Sequence, residues 1–216
     1  MAKANKKPNK KKQQNQQGFT LIELLAVITI MGILMMVAIP SVSRTIENSR
    51  RDSFANVAKS YIESVRNGLT ADNISCCTTA PASGSDIKTT DCTNLTVSSA
   101  LPDGTYYYPI ATAANSNYKF FDSTYVNSTK DLMESGGKSP YGSAEMYGYI
   151  EIVKATTAAT GKTTTKFKIA LIDSGKHGFA GKIEEQAIKR SAVSASGQEL
   201  TTVANALKEK KFCKMN

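Results

Sequence analysis

The sequence is poor in the side chains that build metal and catalytic centres. It has one histidine, His177, in 216 residues, and its four cysteines include no C-x-x-C pair. A structural zinc site needs four cysteine or histidine ligands at such spacings, so the composition argues against one. We expect no cofactor and no metal. Because no constellation resembles an assembled active site, we expect a protein that is not an enzyme.

Two weaker candidates for chemistry also fail. Residues 136–142 read GGKSPYG, but they lack the Walker spacing and the preceding strand of a phosphate-binding loop. His177 lies in the polar stretch DSGKHG and is expected to be a solvated turn residue. A nucleophilic pair of His177 with Cys213 is conceivable, but a disulfide at Cys213 would abolish it.

Acidic residues are absent from residues 1–18, which contain six lysines. Without those lysines, 21 basic residues face 18 acidic ones, and the net charge falls from +9 to +3. So small a charge is not a strong electrostatic footprint for nucleic acid. The lysine-, asparagine- and glutamine-rich segment itself is expected to be unstructured.

A long apolar run follows the lysines. Residues 21–39 read LIELLAVITIMGILMMVAI, with Glu23 as the one charged residue and Thr29 as the one hydroxyl. Nineteen helical residues span roughly 28 Å, close to the ~30 Å hydrocarbon core of a bilayer. Positive charge beside a span stays on the cytoplasmic side. The sequence therefore predicts a membrane span with its N-terminus inside and everything after Ser41 outside.

Glu23 has two interpretations on its own. A carboxylate at the centre of a span costs about 2.5–3.5 kcal/mol and less near the interface. Glu23 lies two residues into the apolar run, so it is either solvated among lipid head groups or paired with a partner group.

The residues around Glu23 form a recognisable motif. Residues 17–25 read QGFTLIELL, between a basic leader and an uninterrupted apolar run. This segment closely resembles the processing site of type IV prepilins and pseudopilins. The resemblance implies cleavage between Gly18 and Phe19 by a membrane-embedded aspartyl peptidase, followed by N-methylation of Phe19. Glu23 matches the family's glutamate, and Gly32 and Pro40 match positions where the family often has glycine and proline.

The resemblance also implies a function. The chain would be a structural subunit of an extracellular type IV pilus-like filament, held in the cytoplasmic membrane before assembly. Glu23 would meet the Phe19 ammonium of a neighbouring subunit, and such a buried pair fixes register. The implied partners are other pilin subunits, the prepilin peptidase and methyltransferase, and the inner-membrane assembly platform and ATPase. Contact with DNA or a host surface is unproven.

Two alternatives stay open. One is a pseudopilin of a type II secretion or competence (DNA uptake) system. The other is a secreted or membrane-anchored binding protein, because Ser41-Val42-Ser43 has the small-x-small pattern of a signal peptidase site. Cleavage there would give a soluble product that starts at Arg44.

The helical pattern continues beyond the apolar run. Pro40 predicts a kink or local melting, and Gly32 adds a second flexible point. After Pro40 the apolar residues keep helical spacing as far as Leu69, and Asn67-Gly68 begins the predicted stop. The stripe comprises Ile46, Phe54, Val57, Ala58, Tyr61, Ile62, Val65 and Leu69.

These features predict four segments and an α+β fold. The segments are a cleaved leader (1–18), a transmembrane or filament-core helix (19–40), the amphipathic half of the same helix (41–69) and a globular β-rich region (70–216). An antiparallel sheet should pack on the amphipathic half. We predict strands at residues 105–112 and 117–122, a hairpin of residues 146–155 with 165–173, and a short helix from Leu200 to Leu207. Residues 75–99 should be an exposed loop, and residues 156–164 a long, projecting connection.

The four cysteines all fall outside the predicted membrane, where disulfides persist. A bond between adjacent Cys76 and Cys77 is strained and rare. The sequence therefore favours either Cys76 or Cys77 with Cys92, and the other with Cys213.

One further stretch has a short family resemblance. Residues 140–142, PYG, resemble the Pro-Trp-Gly-type turn of the major pseudopilins, with Tyr141 in place of tryptophan. That neighbourhood binds calcium in some relatives. The nearby acids before it are Asp131 and Glu134, and no metal is assigned here.

Overall fold

The computed structural model describes residues 18–79, 92, 94–111, 127–128, 132–133, 138–142, 145–207 and 210–216. The chain divides into two compact units, residues 1–45 and residues 46–216, and the second is called the head unit below. Most of the leader and the predicted strand at residues 117–122 lie outside the described residues.

The helix α1, Leu21–Thr70, is the longest described element, with 50 residues. It confirms the helix predicted from the apolar run and the amphipathic pattern. Pro40 lies inside it and has no N–H to donate to the carbonyl four residues earlier. The helical backbone nevertheless continues through Gly32 and Pro40.

In the head unit, α1 buries one side. The buried positions are Phe54, Ala55, Ala58, Tyr61, Ile62, Val65 and Gly68. The predicted stripe is therefore confirmed from Phe54 onwards, with Val57 and Leu69 partly buried. Its first member is wrong: Ile46 is 48% exposed, because it lies two turns before the first buried position.

The helix ends slightly later than predicted. Asp72 takes a left-handed backbone conformation with φ 54°, and the N–H of Asn73 bonds the carbonyl of Gly68. Gly68 itself serves packing, since a Cβ there would lie 2.8 Å from Ile74 Cδ1. The glycine lets the following strand pass close to the helix.

The described remainder of the head unit is mostly sheet. Its strands are β1 (Ile74–Cys77), β2 (Leu95–Val97), β3 (Gly104–Ala111), β4 (Asn127–Ser128), β5 (Met146–Thr157), β6 (Lys162–Asp173), β7 (Gly178–Phe179), β8 (Ile183–Glu184), β9 (Val193–Ser194) and β10 (Cys213–Met215). The larger sheet has the order β4-β3-β5-β6-β7-β9, with β8 beside β6, and the smaller has the order β10-β1-β2. The β3–β4 pair is parallel and the other strand pairs are antiparallel. The α+β architecture is confirmed.

Two loop predictions need correction. The ends of the predicted loop at residues 75–99 form β1 and β2, because both pair within the smaller sheet. The connection between β5 and β6 is a turn of only four residues, 158–161, closed by Gly161 at φ 63°. The hairpin arms are longer than predicted because threonine-rich residues 156–157 and 162–164 also pair.

The larger sheet buries both faces over part of its length. Ile150, Ile152 and Ile169 lie in the same apolar cluster as the buried side of α1. Tyr147, Tyr149 and other residues form a second cluster with the predicted C-terminal helix, α2 (Leu200–Leu207). Successive residues of β5 alternate between the two clusters, as strand geometry requires.

Candidate assembly and processing site

Residues 18–20 lie just before α1 and are not helical. Phe19 is 90% exposed, and a Cβ added at Gly18 would meet no atom of the described residues within 4 Å. The Gly18–Phe19 peptide bond therefore lies in non-helical backbone that the described part of the chain does not cover.

Thr20 and Glu23 form reciprocal hydrogen bonds at the start of α1. The Thr20 hydroxyl accepts the Glu23 backbone N–H at 3.3 Å. A Glu23 carboxylate oxygen in turn accepts the Thr20 backbone N–H and the Thr20 hydroxyl, each at 2.8 Å. This is a capping box, which satisfies backbone donors at a helix start. The sequence analysis missed it, although the Thr-x-x-Glu spacing at the head of an apolar run signals it.

The apolar side chains of the first part of α1 are all exposed. Among the described residues, α1 is the helix long and apolar enough to cross a membrane, judged by length and composition. None of its most apolar 18 residues is buried within the chain. The large exposed apolar side chains in this part of the helix are Leu21, Ile22, Leu24, Leu25, Val27, Ile28, Ile30, Met31, Ile33, Leu34, Met35, Met36, Val37 and Ile39. A surface of this kind needs lipid or other chains to cover it.

The comparison with family models matches the same region. Residues 13–39 match the prokaryotic N-terminal methylation motif. The chain carries a type IV prepilin leader. No curated protein and no solved structure matches the chain.

The pilin motif explains the composition of this region. Proteins with this leader are precursors of pilus-type structural subunits, which prepilin peptidase processes before filament assembly. The match stops at residue 39. The head unit of this pilin-like precursor must therefore be understood from its own contacts.

Tyr141 is the centre of a group of contacts that was not predicted from the sequence. This group is called the anchor below. Its ring stacks on that of His177, with centroids 4.0 Å apart and planes 2° apart. Its hydroxyl donates to a Glu47 carboxylate oxygen at 3.1 Å, and its ring contacts Phe54 at 6.5 Å between centroids. Tyr141 thereby joins the turn at residues 140–142 to the helix. The Pro-Trp-Gly resemblance indicated this position but not its partners.

Asp173 accepts the hydrogen bonds that fix His177 in the anchor. Its side chain is fully buried at the end of β6. It accepts the Ser139 hydroxyl at 2.6 Å, the His177 backbone N–H at 2.8 Å, and His177 Nδ1 at 2.9 and 3.0 Å. The expectation that His177 is a solvated turn residue was wrong, because the buried carboxylate and the Tyr141 ring hold it on two sides.

The same contacts set the charges in the anchor. The hydrogen bond from Arg51 to Glu47, at 2.9 Å, holds the pKa of Glu47 below its usual value, and the bond from Tyr141 acts in the same direction. Burial raises the pKa of Tyr141 to about 12, and the hydrogen bond to Glu47 adds to the effect. Near neutral pH the pair is therefore a neutral phenol on an ionised carboxylate.

Two disulfides resolve the cysteine alternatives. Cys76 bonds Cys213, and Cys77 bonds Cys92, so that no cysteine is free. The first joins directly opposed residues of β1 and β10 and ties the C-terminus to the strand that follows α1. Sequence reasoning could not choose between Cys76 and Cys77, because adjacent residues have nearly the same chain separations.

These contacts bear on the catalytic alternatives. Cys213 is bridged, so it offers no thiolate to His177. The Ser139 hydroxyl donates to Asp173 and not to the imidazole of His177, so the two do not form a Ser–His pair. Among the described residues, no group of three or more His, Cys, Asp and Glu side chains could hold a metal ion. Asp131 and Glu134 lie outside the described residues.

Proposed function

We propose that the chain is a structural subunit of an extracellular type IV pilus-like filament, without catalysis of its own. Prepilin peptidase cleaves after Gly18, Phe19 is N-methylated, and the mature subunit assembles through its apolar helix and Glu23. Other copies of the chain are its main partners, with the peptidase and methyltransferase and the assembly platform and ATPase acting before them.

The exposed apolar surface of residues 21–39 is the observation that carries this proposal. Full burial of one Leu, Ile, Val or Met side chain is worth about 1.5–3 kcal/mol. Within residues 21–39, fourteen such side chains lie uncovered on a helix that begins beside the processing motif. Lipid covers this surface in the precursor, and neighbouring helices cover it in the filament.

Glu23 fixes the axial position of a subunit relative to its neighbour in the filament. Before assembly, Thr20 supplies hydrogen bonds to the Glu23 carboxylate. Cleavage after Gly18 creates an ammonium at Phe19, which remains charged after methylation. In the filament, the Glu23 carboxylate pairs with the Phe19 ammonium of a neighbour. Either charge left unpaired in an apolar core costs several kcal/mol, so one axial position is favoured.

The head lies outside the cytoplasmic membrane in this proposal, and the leader lies inside. The six leader lysines support this orientation by the positive-inside rule. Both disulfides lie in the head unit, which fits an oxidising compartment.

Intact-mass measurement and N-terminal sequencing test the proposal. The protein is isolated from the membrane and from surface material released by shearing. We expect N-methyl-Phe19 at the start of the chain in the sheared fraction. A chain starting at Arg44 in the soluble medium would instead identify a secreted domain and overturn the filament proposal.

A glycine exchange tests the cleavage position. Gly18→Leu should block processing and leave the full-length chain in the membrane fraction. Gly32→Leu is the matched control, since it is the same exchange at a site that also has open space around a Cβ. Processing of Gly18→Leu at the wild-type rate would refute cleavage at this bond.

A further inference from the structure

The outer edge of β6 is open near the hairpin turn. β6 pairs with β5 over its whole length. On its other side it pairs with β8 at Lys168 and Ile169 and with β7 at Ile172. Among the described residues, no strand pairs with the outer side of residues 162–166. Residues 162–166 are exposed.

The register shows which backbone groups point outwards at this edge. The Thr156 N–H donates to Asp103 at 2.8 Å, so it points away from β6. Thr156 faces Thr163, and their hydroxyls are 3.0 Å apart, as in the closer, non-hydrogen-bonded type of antiparallel pair. Since the two pair types alternate, the N–H and C=O of Thr163, Thr165 and Phe167 all point outwards.

Pairing further along the same edge agrees with this alternation. The N–H of Asp173, another odd-numbered residue of β6, donates to the His177 carbonyl at 2.8 Å on the outer side. Lys168 faces Glu184 and Ile169 faces Ile183 of β8, so the bonds of this ladder join Ile169 to Ile183 and the Phe167 C=O to the Glu185 N–H. Among the described residues, the outward backbone groups of Thr163 and Thr165 have no strand partner, and they continue a pairing surface that the chain already uses.

The two faces of the free stretch differ in chemistry. Thr165 and Phe167 line a cavity of about 440 Å³ whose apolar wall includes Leu101, Tyr106 and Ile152. The opposite face carries the alternate residues, among them three lysines. Lys162 and Lys166 have no carboxylate within 4 Å among the described residues, whereas Lys168 lies 3.7 Å from Glu151 and 3.9 Å from Glu184.

The lysines decide what kind of strand can pair here. A second copy of the chain, paired symmetrically about Thr165, would place its Lys168 opposite Lys162. Directly opposed like charges destabilise a strand pair, and lysines protect exposed edges against self-association. A strand with carboxylates on one face would instead be attracted by Lys162 and Lys166.

We propose that the edge of β6 at residues 162–166 binds an extended acidic strand of a partner protein by β-strand addition. The backbone groups of Thr163 and Thr165 pair with the incoming strand. Its carboxylates face Lys162 and Lys166, and its apolar side chains enter the cavity beside Phe167. This proposal does not depend on the filament function.

A synthetic peptide of alternating glutamate and valine, labelled with fluorescein, is the probe. The full chain in detergent micelles is titrated into it and binding is followed by fluorescence anisotropy. We expect saturable binding that slows hydrogen exchange at the amides of Thr163 and Thr165. A peptide with lysine in place of glutamate should bind at least tenfold more weakly.

Two arms test whether the backbone pairs. The first uses the same acidic peptide with alternate backbone nitrogens methylated, which removes its hydrogen-bond donors and needs no protein variant. The second uses Thr165→Pro, which removes one of the two outward N–H groups at a position where an edge strand tolerates proline. Each should weaken binding at least tenfold. Thr165→Val is the matched control that keeps the N–H and should bind like the wild type.

A double exchange tests the charges. Lys162→Glu with Lys166→Glu should reverse the preference, so that the lysine peptide binds more tightly than the glutamate peptide. Equal binding of the methylated and unmethylated acidic peptides would mean attraction to the lysines without strand pairing and would overturn the proposal. Failure of the wild-type chain to bind the acidic peptide would do the same.

Discussion

The ring of Tyr141 lies flat on the imidazole of His177, with ring centroids 4.0 Å apart. The Tyr141 hydroxyl bonds Glu47 on α1, and His177 bonds the buried Asp173 at the end of β6. One stacked pair thus connects the helix to the far end of the central hairpin. Its loss should weaken the packing of the sheet on the helix.

Two substitutions of Tyr141 should distinguish the contribution of its ring to stability from that of its hydroxyl. Tyr141→Phe keeps the stack and loses the bond to Glu47, at a cost of about 1–2 kcal/mol in the free energy of unfolding. Tyr141→Ala also loses the ring contacts with His177 and Phe54, at a cost of about 3 kcal/mol or more. Guanidinium unfolding of the full chain in micelles measures both. Equal losses in the two variants would show that the ring contacts contribute nothing.

Stability should fall in acid partly through Glu47. Its pKa in the folded protein lies below the usual 4.5, chiefly because Arg51 donates to it. A depressed carboxyl pKa contributes stability that is complete above the unfolded value and is lost as the pH falls through the folded value. Glu47→Gln should therefore be less stable than the wild type near neutral pH, with a difference that shrinks below pH 4.5.

Thermal unfolding at pH values from 7 to 3 checks this prediction. Glu199→Gln serves as the control for removal of one exposed carboxylate, since Glu199 lies 3.9 Å from Lys176 on the surface. A Glu47→Gln deficit that stays constant down to pH 3 would contradict the role of the ionised carboxylate.

The two disulfides should contribute unequally. In the chain-entropy model, the Cys77–Cys92 bridge, with a separation of 15 residues, is worth about 3 kcal/mol. The Cys76–Cys213 bridge, with a separation of 137 residues, is worth roughly 5 kcal/mol. Replacing both cysteines of a bridge by alanine should therefore lower the free energy of unfolding more for Cys76–Cys213 than for Cys77–Cys92. Guanidinium unfolding under non-reducing conditions measures this difference. Peptide mapping checks the connectivity, and a Cys76–Cys92 fragment would contradict it.

Glu23 and Thr20 should affect assembly to different degrees. Glu23→Ala should still be processed but should form few filaments, because the Phe19 ammonium then has no partner. Thr20→Val loses the hydroxyl of the capping box, about 1 kcal/mol at a helix start, and should reduce filament yield less. Thr20→Ser keeps the hydroxyl and is the matched control. The yield of sheared filaments measures each effect, and normal filaments from Glu23→Ala would refute the ion-pair mechanism.

The features that were predicted correctly depend on neighbours along the chain. The apolar run, the helical spacing from Phe54 to Leu69 and the alternation at Phe167, Ile169 and Leu171 are patterns within a few residues. Such patterns reflect helix and strand geometry directly. Ile46 shows the limit of this reasoning, because it fits the stripe but is not covered by the sheet.

The errors fell where distant segments meet. The ends of the predicted loop at residues 75–99 became strands because β10, more than 100 residues later, pairs with β1. His177 looked like an isolated turn residue, yet Tyr141, 36 positions earlier, covers its ring. No local pattern marks these contacts, since they form only when the sheet brings both segments together.

The linear sequence alone sufficed for the leader, the apolar helix and the prepilin motif, because each of them is a pattern within one continuous segment. The tertiary structure decided the disulfide pairing, the Tyr141–His177–Asp173 anchor and the open edge of β6. Each of those depends on strand register and on which face of the sheet a residue occupies. Register is a property of paired segments, and it is set by the burial of their side chains together.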